Sequence, residues 1–234
     1  KFKMIMNTQE TQLLKLLKSF DDNGCSDHLI LIGSWAEYLY CAAGILPDYE
    51  AVIRTLDIDF LVKNLRRPVP SINIISLAKE EGFYVEEDCL TGVTRLLSPD
   101  GLEVEFLIEQ KGKGSETALK TNLGITAQAL RHLDLLRDNT LEIRHLGIKV
   151  CIPVPEAFVL HKMIINSERK HKTEKDQTVI NRMYPHLNLD KFNELLGALT
   201  KKERKVVNQY LEEIIYPILT QEDALVRAKK FLKK

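Results

Sequence analysis

The segment "RTLDIDFLVKN", residues 54–64, sets Asp57 and Asp59 one residue apart inside an otherwise apolar run. In a strand, residues i and i+2 share a face, so the two carboxylates stand side by side while Ile58 points the other way. Like charges so close repel, and the repulsion forces one proton back on unless a cation or strong donors sit between them. The pair therefore calls for a partner of positive charge.

The chain before this segment supplies an anion site. "HLILI" reads as a short buried strand that runs into Gly33 and Ser34, and the spacing of Trp35, Ala36, Leu39 and Ala43 predicts a helix from Ser34 to Ala43, stopped by Gly44 and Pro47. Glycine lets the backbone approach a ligand closely, and the amides of a new helix suit phosphate. A phosphate cradle followed by a carboxylate pair is the minimum needed to hold a nucleoside triphosphate through magnesium, a hard cation that takes carboxylate and phosphate oxygens.

A third carboxylate is expected from a neighbouring strand. "GLEVEFLIE" offers Glu103 and Glu105 on one strand face. Glu105 is preferred, because it sits in the frame "VEFL" much as Asp59 sits in "IDFL"; Glu103 is the alternative.

Elsewhere the pattern is mixed and then helical. A helix is predicted over residues 8–20, a turn at "DDNG", a helix opening at Pro70 and Ser71 and running to Glu81, and strands near 83–86, 93–97 and 102–108. "SPDG" is a turn by its chemistry. "EQKGKGSETALKTNLG" reads as a loop, residues 126–137 as a helix, and "LEIRH" with "IKVCI" as a hairpin around Leu146 and Gly147. From Pro155 the chain is almost wholly helical, beginning with proline at the favoured first position, and Thr200 with Glu203 and Thr220 with Asp223 are spaced as capping boxes. Strands first and helices after predict an α+β core over residues 1–152 and a helical domain over 153–234.

Composition narrows the partners little. Of 234 residues, 44% are apolar and 28% charged, as in ordinary globular protein. With 33 basic and 33 acidic residues, no global field steers the chain to nucleic acid or anionic membrane. Four cysteines without CxxC spacing fit a reduced, cytoplasmic setting, and no apolar stretch approaches the roughly 20 residues that span a bilayer. The histidines lack the spacing of a zinc site.

"LIGSWA", "RTLDIDFLV" and "VEFL", in that order, resemble the nucleotidyltransferase superfamily that includes DNA polymerase beta. "GSWAEYLY", "RTLDIDF", "IPVPEAFVLHKMI" and the Lys175–Asp176 pair are similar, more narrowly, to small bacterial nucleotidyltransferase-like proteins related to abortive-infection toxins. The resemblance implies a polymerase-beta-like core with a mixed sheet. It implies transfer of a nucleoside monophosphate from an NTP to an acceptor hydroxyl, with release of pyrophosphate. In that scheme Asp57 and Asp59 hold two Mg2+ ions, Glu105 ligates the ion that activates the acceptor, and Gly33 and Ser34 hold the terminal phosphates. RNA, protein and small molecules are all candidate acceptors. Lys162, set among apolar neighbours in "FVLHKMII", is a further candidate for the triphosphate, whereas Arg169, Lys170 and Lys172 read as a solvated helix face. The competing reading is a nucleotide- or partner-binding protein of the same fold without turnover, as in one half of a toxin–antitoxin pair. Two departures from the family pattern stand out: a longer stretch between GS and DID, and Glu in place of the commoner Asp at the third position.

Overall fold

Leu13, Leu16, Leu17 and Phe20 repeat at helical spacing, and they form the buried stripe of α1 (Thr8–Asp22). Residues 8–51, 55–64, 72–110, 117–166 and 173–220 are described by the structure, a computed structural model. It divides into two compact units, Lys1–Val154 and Pro155–Lys234.

The first unit is built on a seven-stranded mixed sheet. β1 (Leu29–Ile32) lies antiparallel to β2 (Asp57–Val62), and β2 lies parallel to β5 (Glu103–Glu109). The far edge of β5 is shared: its first half pairs with β4 (Thr94–Leu97), antiparallel, and its second half with β7 (Thr126–Leu130), parallel. β3 (Tyr84–Glu87) extends the sheet from β4, and the three-residue β6 (Ala118–Lys120) extends it from β7. The amide of Thr126 donates to Thr94 Oγ1 at 3.0 Å, stitching the starts of β4 and β7 together.

The two faces of this sheet differ. One carries Ile58, Phe60 and Val62 of β2 beside Val104, Phe106 and Ile108 of β5, all buried. Phe60 stacks on Phe106 at 6.1 Å and meets Phe20 of α1 edge-on at 5.6 Å. The opposite face is polar at the start of each strand and apolar towards its end. There Leu61 and Leu107 join Ile30, Ile32, Leu133, Leu136 and Cys151 in a buried cluster. "DIDFLV" and "EVEFLI" are thus the same pattern twice: alternation where the strands border a site, continuous apolar sequence where both faces are covered.

Helices and a hairpin complete the unit. α2 (Gly33–Ala42) follows β1 directly, α3 (Ile74–Glu80) is capped by Asn73, whose Oδ1 accepts from Ser76 N, and Gly82 follows its end at φ +84°. Pro70 and Ser71 lie outside the described residues. The "SPDG" turn closes β4 onto β5, with Gly101 N donating to Ser98 O at 3.1 Å. Two expectations need correction. The helix expected over 126–137 is strand β7 followed by the one-turn α4 (Asp134–Asp138), because "TAQAL" alternates between the sheet's faces and its backbone pairs with β5. The expected loop before it contains β6; its "KGKG" lies outside the described residues. The hairpin of β8 (Thr140–His145) and β9 (Ile148–Pro153) is as read, with Leu146 and Gly147 both at positive φ in its two-residue turn. Ser26 Oγ donates to Lys149 O, and Tyr40 Oη to Pro153 O, tying β9 to the unit.

The second unit is helical: α5 (Pro155–Asn166), α6 (Thr173–Met183), α7 (Leu189–Ala198) and α8 (Lys201–Tyr210), which continues through a π-turn at Leu211–Ile215. Thr200 and Glu203 form the expected capping box on α8. Thr220 instead stands within helix, its hydroxyl donating to Tyr216 O, and Asp223 lies outside the described residues. Among the described residues no helix is long and apolar enough to cross a membrane.

Candidate active site

β1 gives way to α2 without an intervening loop. Ile32, before the helix, has no side-chain acceptor for its first amides, and Gly33 turns the chain at φ +68°. A Cβ on Gly33 would collide with the carboxylate of Asp59. Glycine is required there twice over, by the left-handed backbone and by the closeness of a carboxylate to the start of the helix.

Strand register then sets the carboxylates in rows. Ile32 pairs with Asp59, Asp59 with Glu105, and Glu105 with Arg95 of β4. Ile32, Asp59, Glu105 and Arg95 therefore lie along one line across β1, β2, β5 and β4, and Gly33 follows Ile32 directly. The next row holds Asp57 and Glu103. Paired residues share a face, so four carboxylates project on the polar face, all of them half-buried.

Arg95 is a site residue that the sequence reading did not single out. Its Nη1 lies 3.2 Å from Glu103 Oε1 and its Nε 3.2 Å from Glu105 Oε1, with side-chain exposures of 43%, 32% and 28% for Arg95, Glu103 and Glu105. Its Nε–H is buried yet aligned for no hydrogen bond, so the contact with Glu105 is coulombic. The signal was present in the sequence: "SPDG" closes a hairpin, and counting outward from it brings Arg95 opposite Glu105.

Burial pushes the Glu105 carboxyl above the ordinary carboxylate range; Arg95 opposes that shift, and Asp59, Glu103 and Asp57 add to it. A face of hard oxygen donors with an excess of negative charge fits a divalent cation in chemistry. Among the described residues no three His, Cys, Asp or Glu side chains already converge as a preformed metal centre.

The loop before β2 holds the start of α2. Ser34 Oγ and Thr55 Oγ1 are 2.7 Å apart, Thr55 Oγ1 donates to Asp57 O at 3.3 Å, and Trp35 Nε1 donates to Thr55 O at 3.2 Å. With the Thr55 proton given to Asp57, Ser34 is the donor to Thr55. The Ser34 hydroxyl proton is thus engaged, and what the helix start has to offer an anion is its backbone amides. Trp35 is fully buried and packs edge-on against Tyr38, a core residue rather than a stacking platform.

Lys162 stands in the other unit. Its ammonium lies 2.6 Å from Asp176 Oδ1 and 5.1 Å from the centre of the Phe158 ring, with side-chain exposures of 13% for Lys162 and 2% for Asp176. Arg169, Lys170 and Lys172 lie outside the described residues.

A helix-opening glycine, an Asp-x-Asp strand and an acidic parallel neighbour on a mixed sheet define a nucleotidyltransferase fold. The chain matches the family model described as nucleotidyltransferase over residues 11–183, and it belongs to that family. Two solved structures share the fold. The crystal structure of an antigenic nucleotidyltransferase-like protein from Paracoccidioides brasiliensis is 13% identical, with 92% of this chain and 93% of that one covered and a TM-score of 0.51. The crystal structure of ANT(2'')-Ia in complex with adenylyl-2''-tobramycin is 14% identical, with 87% of this chain and 99% of that one covered and a TM-score of 0.51. No curated protein matches the chain.

Proposed function

We propose that this nucleotidyltransferase moves a nucleoside monophosphate from an NTP to an acceptor hydroxyl in a Mg2+-dependent reaction. The acceptor oxygen attacks the α-phosphorus, the bond from that phosphorus to the bridging oxygen breaks, and pyrophosphate leaves. The observation that carries the reading is that Asp59 and Glu105 pair in register across β2 and β5, with Gly33, the first residue of α2, packed against the Asp59 carboxylate.

Each residue is assigned a part in this proposal. The amides at Gly33 and Ser34 bind the terminal phosphates, beside a helix terminus whose dipole favours anions. Asp57, Asp59 and Glu105 are the ligands for two Mg2+ ions, which when bound supply charge neutralisation at the attacking and leaving oxygens. Glu105, desolvated and raised in proton affinity, accepts the acceptor's proton. Glu105 is favoured over Glu103 because it is the one beside Asp59.

The Arg95 contact with Glu105 favours a second reading, a nucleotide- or partner-binding protein of the same fold without turnover. One experiment separates the two. The protein is incubated with each labelled NTP, Mg2+ and a cell extract, and label is sought in RNA, protein and small molecules, in parallel with Asp57→Asn. The expected result is label in one acceptor class with the unaltered protein and none with the variant. Transfer that survives the substitution sinks the mechanism, and nucleotide binding without transfer establishes the second reading.

A further inference from the structure

The polar face of the sheet carries four carboxylates, Asp57, Asp59, Glu103 and Glu105, and Arg95 stands across from two of them. Its guanidinium reaches the residue directly opposite, Glu105, and the diagonal neighbour, Glu103, at equal distances of 3.2 Å. The contact with Glu105 lacks hydrogen-bond alignment, so only charge holds it. A divalent cation drawn to Asp57 and Asp59 carries twice the charge of a guanidinium and seeks the same carboxylate.

We propose that Arg95 is the internal counter-cation of this face and competes with the divalent cation for Glu105, a role that rests on the reading of Asp57, Asp59 and Glu105 as cation ligands. Without the cation, Arg95 offsets the repulsion among the carboxylates and keeps Glu105 on β5 turned towards β4. When the cation binds, Glu105 is released to it and Arg95 remains with Glu103. Arg95 is a positioning residue in this scheme: it acts through Glu105 and sets how readily the site loads.

Mn2+ alone is the probe, titrated calorimetrically into the full chain at low ionic strength without nucleotide. Removing the guanidinium charge in Arg95→Gln or Arg95→Met should tighten Mn2+ binding about tenfold, the scale expected for losing one unit charge near the ligands, and the gain should shrink at high salt. Arg95→Lys keeps the charge and should bind Mn2+ as the unaltered protein does. In chelator, the Gln and Met variants should unfold at lower temperature than the unaltered chain, and saturating Mn2+ should close that difference. Mn2+ affinity that is unchanged or weaker in both charge-removing variants, while Asp59→Asn loses binding, overturns the competition and leaves the proposed function standing. Equal effects in Gln, Met and Lys variants also overturn it, since they mark a role in packing. Mn2+ binding that Asp59→Asn does not touch overturns the proposed ligand set itself.

Discussion

Gly33 and Asp59 are in van der Waals apposition, the glycine at φ +68° with the carboxylate where its side chain would be. The start of α2 and the second aspartate of β2 are thereby locked to one another. A helix start and a carboxylate so close together can serve one ligand.

Gly33→Ala should weaken NTP binding by at least tenfold, read by equilibrium titration of labelled nucleotide. Gly24 is the control: its φ is +75°, yet a Cβ there meets nothing within 4 Å. Both alanines carry backbone strain of about 1–2 kcal/mol, so both should lower thermal stability. Only Gly33→Ala should impair nucleotide binding, and equal impairment by Gly24→Ala would count against the cradle.

Asp57→Asn should reduce label transfer by about a thousandfold or more while leaving thermal stability in chelator unchanged or higher. Loss of one of four like charges relieves repulsion in the cation-free protein. A marked fall in the unfolding temperature would mean that Asp57 serves the fold.

Lys162 and Asp176 form a pair whose carboxylate is almost fully buried. Lys162→Ala should cost about 3–5 kcal/mol, because the buried carboxylate loses its ammonium, measurable by denaturant unfolding. Lys162→Met combined with Asp176→Leu should recover most of that stability, since no charge is then left buried. A double variant as unstable as Lys162→Ala would assign the loss to packing rather than to charge.

His145, on β8, is buried beside the ring of Tyr38. Burial pushes its pKa below 6.5, with Glu10 pulling weakly the other way. The unfolded chain then binds the proton more readily than the folded one, so stability conferred by neutral His145 is present above pH 6.5 and is lost as pH falls towards the lowered value. Denaturant midpoints taken through this window should decline with acidification in the unaltered protein. His145→Gln should flatten that decline, and an unaltered slope would assign it to other groups.

Much of this site was legible before folding. Alternation in "DIDFLV" and "EVEFLI" placed each carboxylate pair on one face, because a strand repeats every two residues. The strand-to-glycine-to-helix junction at Gly33 and the chemistry of "SPDG" were equally local. The strand β7 was read as a helix because "TAQAL" has weak local preference, and its pairing with the second half of β5 is made by residues far away in the chain. The bond between the Ser34 and Thr55 hydroxyls, made across twenty-one residues, had no local signal.

The sequence by itself determined most of the strands and helices, which carboxylates share a face, and that an Asp-x-Asp strand follows a glycine-opened helix. These depend on the period of each element and on neighbours a few residues apart. Tertiary structure alone decided that Glu105 rather than Glu103 lies beside Asp59, and that Gly33 touches the Asp59 carboxylate. It also decided that Arg95 shares the face and that the Lys162 ammonium pairs with Asp176. The register of β2 against β5, strands more than forty residues apart, is set by burying Phe60, Phe106, Leu61 and Leu107 together. A slip of one residue would turn the carboxylates into that core, and the cost of burying them fixes the row that forms the site.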